Sequence, residues 1–464
     1  MQLSEVGDRA AAAFTQNTLC RGCAATPEAY PEHVARKPAQ RSSRTVEVAA
    51  LDPDKFLRHP APLPVSSIHG HDRAWRTLTD AMRSGRVHHA WIFHGPAGVG
   101  KFTSAVAFAS LLLDPTAQAT FSGEFVADPE STTQRLLAAS NHPDLRIIVK
   151  ELASFHEDKQ IRDRKQTNIP AAVIRDSLVR AAGIAPMVKS GSLAGKVFIV
   201  DDADLMDSAA QNALLKVFEE PPARVVIILV TSNENYLLPT VRSRSQRVYF
   251  QTLAQPDMHA WLTTNRDSLV MLREEDDDAG DEGVSKTKAS RENNDDELMM
   301  LGGEDPPSSQ RTISPEEEKF LIEFAAGSPG AFTSAYEYNI YSWWKSIGPL
   351  LVQAEKGQHS IDLGPAIVKH AAELKDKLFD DGELASKEAA GKVANGWMFR
   401  LVGSYLSRRL REAARSAKGA SAVKPYLTML DRLLDAEDEV DSNVNITFVA
   451  DKLAGEIVAA GRAE

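Results

Sequence analysis

The sequence predicts an α/β fold, a parallel sheet built around a phosphate-binding loop, followed by an all-helical half. Three observations carry this. Near-continuous apolar runs at 90–93, 145–149, 196–200 and 225–230 read as strands buried on both faces, and helical patterns separate them. A glycine-rich turn from Gly95 to Lys101 follows the first run directly and opens an apolar helix to Leu113. Past Phe250 the spacing turns helical, and no later run matches those four as a strand.

The elements follow in order. Residues 1–55 are rich in Ala, Pro, Arg and Thr without a period and read as a poorly ordered extension. Trp75, Leu78 and Met82 recur at helical spacing between Gly70 and Gly85. Residues 114–141 are polar and irregular, and a helix is expected from about Pro170 to Ala182. Residues 207–220 form an amphipathic helix with Ala210, Leu214, Val217 and Phe218 inward. Later helices are expected at 316–325, 365–378, 396–415 and 422–436. The predicted units are a nucleotide-binding-type domain over 56–250, a helical lid over 251–335, and a C-terminal helical domain over 336–464. The lid is interrupted by an acidic insertion, 273–306, expected to be disordered.

Composition narrows the class. Of 464 residues, 43% are hydrophobic and 25% charged, which excludes fibrous chains and wholesale disorder. No run approaches 18 apolar residues, so no membrane-spanning helix and no membrane partner are expected. The start, MQLSEVGDRAAAAF, lacks the basic and apolar regions of a secretory signal. Two cysteines exclude a disulfide framework and fit a reducing cytoplasm. The net charge is −11, but residues 273–306 hold thirteen acidic and four basic side chains, a local −9. The rest is near neutral, so overall charge neither demands nor forbids a nucleic-acid partner.

Two motifs carry chemistry. Gly95, Gly98, Gly100 and Lys101 make GxxxxGK, whose backbone N–H groups turn toward phosphates while the lysine reaches the terminal ones. The next position normally supplies a hydroxyl to Mg²⁺. Here it is Phe102, and Thr103 and Ser104 come one and two residues late, pointing elsewhere on the helix, though Thr103 stays among the candidate nucleotide-binding residues. Asp201 and Asp202 close the third strand, where carboxylates hold Mg²⁺ or polarise water. Two readings stand at this point: a nucleotide site that takes ATP with poor Mg²⁺ support, or a retained structural turn.

The motifs together resemble bacterial clamp-loader proteins of the AAA+ class, and within it the δ′ family of DNA polymerase III subunits. The residues that carry this are HHAWIFHGPAGVGK (88–101), NHPDL (141–145), DDADLM (201–206), QNALLKVFEEPP (211–222), ILVTSN (228–233) and LLPTVRSRSQ (237–246). The likeness covers about 65–255, with GSPG at 327–330 marking its third segment. It implies an AAA+ core, a short lid and a C-terminal collar-type domain. It also implies that Arg244, in SerArgSer, is an arginine finger reaching a neighbour's ATP, and that Ser232 and Asn233 form the strand-end polar sensor. Members that hydrolyse ATP carry an arginine soon after the third-segment Gly-Ser, where this chain has Pro329, Gly330, Ala331 and Phe332. The resemblance therefore implies a subunit that helps to load the sliding clamp on primed DNA beside γ/τ and δ subunits. It would supply a finger rather than burn ATP. A γ/τ-type ATPase and a nucleotide-independent scaffold are the alternatives.

Family members often carry four zinc-binding cysteines in the segment equivalent to 114–141, which here has none. Cys20 and Cys23 form a lone CxxC, and two ligands do not close a tetrahedral site, so no zinc is expected. His88 and His89 read as a turn feature, and Trp343 and Trp344 as helical core. Lys37 to Arg44 reads as a solvated arm.

Overall fold

A computed structural model describes residues 59–121, 123–162, 168–187, 191–281, 313–381, 387–415 and 420–462. The expected extension over 1–55, Cys20, Cys23 and most of the acidic tract lie outside the described residues.

The first half holds a five-stranded parallel sheet. Helix α1 (Asp72–Arg83) precedes strand β1 (Ala90–His94), which feeds helix α2 (Lys101–Leu113). A small antiparallel hairpin, β2 (Gln118–Ala119) and β3 (Phe125–Val126), and helix α3 (Thr132–Ala138) follow. Then come β4 (Leu145–Ile148), β5 (Lys196–Val200), α4 (Ser208–Glu219), β6 (Val225–Thr231), α5 (Pro239–Arg242) and β7 (Gln246–Tyr249). The order is β4-β5-β6-β1-β7. Side chains alternate across it. Trp91, Phe93, Ile199, Ile228 and Phe108 fill one face. Ile92, Phe198, Val200, Leu214 and Leu229 fill the other. This two-sided burial explains the unbroken apolar runs.

Parallel pairing sends every strand's C-terminal end to one rim. His94 pairs with Thr231, and Val200 with Leu229, so the loops after β1, β5 and β6 meet there. The strand order reverses around β1, which is where open α/β sheets bind ligands.

The second half is helical: α6 (Gln255–Asp281), α7 (Pro315–Ala325), α8 (Pro329–Glu337), α9 (Ile340–Glu355), α10 (Leu363–Asp380), α11 (Lys387–Arg415), α12 (Ala420–Asp441) and α13 (Ile446–Arg462). Ser314 caps α7 at the Glu317 N–H, and Ser328 caps α8 at the Ala331 N–H. One apolar core runs from Leu253 through Phe332, Trp343 and Leu406 to Ala460, across the 335/336 boundary expected from sequence.

Some elements differ from the sequence reading. Residues 114–141, expected to be irregular, contain the β2–β3 hairpin and α3. Buried Asp114 organises them, accepting hydrogen bonds from Thr116, Ser131 and Gln134. The helix expected at 170–182 is a short α turn, Ala171–Val173, that widens into a π-helix, Ile174–Arg180. The tract expected to be disordered from 273 begins helical, because α6 continues to Asp281. Extending an anchored helix costs no new nucleation, and glutamate propagates it well. Trp343 is core, stacked on His370, while Trp344 is only half-buried. No described helix is long and apolar enough to cross a membrane.

Candidate nucleotide site

The loop after β1 is shaped by glycine. Gly95 has φ 142°, and a Cβ there would lie 2.0 Å from the Phe250 carbonyl oxygen. Phe250 in turn donates its N–H to His94 O at 2.8 Å. Gly98 and Gly100 are also left-handed, at φ 72° and 103°. This conformation delivers the chain into α2 with the helix N-terminus facing the sheet rim, an arrangement suited to anions. His71, the residue before α1, is buried and holds the loop from beneath through a 2.7 Å hydrogen bond between its Nε2 and Val99 O. Burial lowers the His71 pKa, so the ring is neutral at pH 7 and Nε2 carries the donated hydrogen.

Lys101 is buried, and its Nζ donates to Gly95 O at 2.8 Å and Pro96 O at 2.6 Å. Desolvation pulls its pKa down to about 8, against the attraction of Asp202, Asp201 and Asp204. Asp201 is pushed up to about 7, first by desolvation and then by Asp202. Asp202 is raised by desolvation and by Asp204. Asp202 sits at φ 45°, a left-handed turn at the strand end. Asp204 is spent on structure: it accepts from Thr231 Oγ1 at 2.8 Å and from the Ser232 N–H at 3.3 Å.

These groups line a cavity of about 480 Å³ that includes Lys101, Phe102, Thr103, Asp201, Asp202 and Ser232. The volume falls in the range of small-molecule sites. Leu63 and Ile68 close one side, and Trp261 and Asn265 of α6 and Gly330 of α8 close another. Thr103, a candidate nucleotide-binding residue that comes one position after the Mg²⁺-hydroxyl place, lines the cavity. Ser104 does turn away and is fully buried. Phe102 lines the cavity while packing partly into the sheet-face core. Asn233 is at the strand end but is not part of the cavity lining; its side chain accepts the Asn235 N–H at 3.0 Å and caps the next turn. A nucleotide fits the cradle, Lys101 and the volume. The Mg²⁺ half fits poorly, since a phenyl ring stands where a hydroxyl is needed.

One contact was not legible in the sequence. The start of α8 sits on the loop: Gly330 N–H donates to Gly98 O at 2.8 Å and Ser328 Oγ to Ala97 O at 2.9 Å. A Cβ on Gly98 would come 2.5 Å from Ser328 Oγ, and one on Gly330 2.9 Å from Gly98 Cα. The only sequence signal was the pair of small residues in GSPG.

Arg244 lies outside this cavity, in the turn between α5 and β7. Its Nη2 pairs with Glu219 Oε1 at 3.0 Å and its Nη1 donates to Thr240 O at 3.2 Å. The side chain is 38% exposed, so this pair is a surface one that solvent weakens.

The paired acids give a pH prediction. A carboxyl whose folded pKa lies above its unfolded value destabilises the fold once it ionises. The cost from Asp201 therefore grows from about pH 4 to pH 7 and is full above that. Asp201→Asn is expected to raise the melting temperature at pH 8 by a few degrees and leave it unchanged at pH 4. At about 1.4 kcal/mol per unit, the relief is on the order of a few kcal/mol at most. Equal shifts at both pH values would show that the charge carries no strain.

The fold and site define the class: an α/β domain with a phosphate-binding loop on the rim of a β4-β5-β6-β1-β7 sheet and a helical lid seated on that loop. Residues 70–254 match the family model described as DNA polymerase III, delta subunit. The γ/τ subunit of DNA polymerase III from Mycobacterium tuberculosis is 31% identical over 209 residues, 43% of this chain and 31% of that protein. The δ′ subunit from Pseudomonas aeruginosa is 33% identical over 174 residues, 37% of this chain and 46% of that protein. The δ′ subunit from Bacillus subtilis is 28% identical over 188 residues, 39% of this chain and 47% of that protein. The chain thus spans between 31% and 47% of the length of these relatives. Over this segment the chain is similar to clamp-loader subunits of DNA polymerase III.

Proposed function

We propose that this chain is a clamp-loader subunit of the δ′ kind, which lends Arg244 to a neighbour's ATP and turns over little or no ATP itself. The observation that carries the reading is Phe102. It occupies the Mg²⁺-hydroxyl position, where a phenyl ring that packs partly against the sheet-face core offers no ligand. Two features support it. Lys101 already spends two of its three N–H donors on its own loop carbonyls, which leaves one for a phosphate. The segment after Ser328, where a sensing arginine would stand, offers Pro329, Gly330, Ala331 and Phe332.

In this reading the partners are γ/τ and δ subunits, the sliding clamp and primed DNA, in the cytoplasm. Nucleotide bound here would supply only phosphate charge. The α2 N-terminus, Lys101 and Thr103 would hold it, and the Ser328 and Gly330 contacts would fix the lid against the loop. Glu219 holds Arg244 at the surface until a γ-phosphate of the neighbouring subunit competes for it. A guanidinium suits that exchange because it stays charged and offers forked donors. The 31% identity to a γ/τ subunit favours a second reading, a motor subunit with its own turnover.

Nucleotide affinity with and without Mg²⁺ separates the two. Wild type is expected to bind ATP weakly, with less than about threefold gain from Mg²⁺, and to show negligible turnover. Phe102→Thr is expected to gain roughly tenfold in the presence of Mg²⁺, a difference of about 1.4 kcal/mol. Robust Mg²⁺-dependent hydrolysis by the wild-type chain alone would promote the γ/τ reading.

A further inference from the structure

A second cavity, of about 490 Å³, opens between α7 and the C-terminal turns of α11. It shares only Leu253 with the lining of the nucleotide cavity. Its floor is apolar and aromatic. Phe320 and Trp344 lie near-parallel, with centroids 5.7 Å apart and 20° between planes. Its rim is cationic. Arg408, Arg411 and Arg415 follow one another at three and four residues along α11 and so share a face. At 1.5 Å per residue they span roughly 10 Å.

The charges on this rim do not balance. Arg408 is paired with Glu323 at 3.2 Å and lies 5.5 Å from the Trp344 centroid. The other lining carboxylate, Glu412, is engaged by Arg409. Among the described residues, no carboxylate lies within ion-pair distance of Arg411 or Arg415. Among the described residues, Arg411 donates to Ser407 O, on its own helix, at 3.3 Å. Arg400, further back along α11, contacts the rings of Phe324 and Trp397 at 5.4 Å each. Among the described residues, the cleft therefore offers surplus guanidinium charge above stacked rings.

A purely apolar ligand would leave the arginines unused, and inorganic phosphate alone would leave the floor unused. A nucleotide unit uses both. Its base stacks on aromatic or guanidinium faces, worth about 1–3 kcal/mol per base, and its phosphate takes forked donors. We propose that this cleft binds a nucleotide unit, base plus phosphate, in free form or within a single strand. The proposal stands apart from the clamp-loader reading, because it uses neither the phosphate loop nor Arg244.

The test titrates the full chain with oligo(dT) and, separately, with dTMP and AMP, following tryptophan fluorescence at low salt. Saturable binding is expected in at least one arm; the oligo(dT) arm alone identifies a strand, and the mononucleotide arm a free ligand. Arg411 and Arg415 are exposed, so Arg411→Gln with Arg415→Gln will fold, as circular dichroism will verify. That double variant is expected to bind at least tenfold more weakly. For oligo(dT) its log–log salt slope should fall by about 1.4, at roughly 0.7 per phosphate contact. Because Arg411 and Arg415 lie outside the phosphate-loop cavity, loss of binding in that double variant distinguishes this cleft from occupancy of the phosphate loop. Three results would overturn the proposal: no binding at millimolar ligand, wild-type affinity in the double variant, or equal competition by poly-glutamate.

Discussion

Arg244→Ala is expected to leave the chain folded and to cut the DNA-stimulated ATPase of a reconstituted clamp-loader complex by about 10³-fold. In the free chain Arg244 makes one surface ion pair, with Glu219, and one hydrogen bond to Thr240 O. Deleting it therefore removes on the order of 0–1 kcal/mol of stability. In the complex, the same deletion leaves transition-state charge on a neighbour's γ-phosphate uncompensated. Arg244→Lys is expected to recover little, because an ammonium lacks the planar fork. Glu219→Gln provides a second handle. Releasing the guanidinium from its resting partner should raise complex ATPase slightly, by about twofold. An unchanged ATPase in Arg244→Ala, with the complex intact by gel filtration, would remove the finger role altogether.

The parts of this molecule that were legible in sequence are those where one physical term dominates. Strands β1, β4, β5 and β6 announce themselves because burial on both faces forces apolar runs. β7 was missed because, of Gln246, Arg247, Val248 and Tyr249, only Val248 is buried at this sheet edge. The hairpin after α2 was missed because its strands are two residues each and its order comes from Asp114, a hub of side-chain hydrogen bonds with no period. The phosphate loop and Asp201 and Asp202 were legible because backbone turns and strand ends demand particular residues. The seat of Ser328 and Gly330 on Ala97 and Gly98 was not, because it joins residues more than 200 apart in the chain. His71 was equally silent: nothing local marks a histidine that will be buried under a loop.

The second large effect is expected at Glu355, which ties three helices of the C-terminal half together. Its carboxylate, at the end of α9, accepts from Arg409 Nε at 2.8 Å and Nη2 at 2.6 Å, both on α11. It also accepts the hydroxyls of Tyr405 on α11 and Tyr426 on α12. Burial works against its charge, but Arg409 and the two hydroxyls together outweigh it and hold its pKa below the ordinary glutamate value. Glu355→Ala strands the buried Tyr405 hydroxyl and the half-buried Tyr426 hydroxyl and leaves Arg409 with the exposed Glu412 and a long contact to Tyr426, so a loss of about 3 kcal/mol is expected. For a helical body of this size that is a fall in melting temperature on the order of 6–12 °C. The pH dependence follows from the sign of the shift. A carboxyl with a depressed folded pKa contributes its full stability above its unfolded value and loses it as pH falls through the folded one. The gap between wild type and Glu355→Gln should accordingly be wider at pH 7 than at pH 3. The measurement is helical circular dichroism against temperature at both pH values. A Glu355→Ala melt within 1 °C of wild type at pH 7 would mean that the three helices are held by their apolar seams alone, with the polar network riding on top of them.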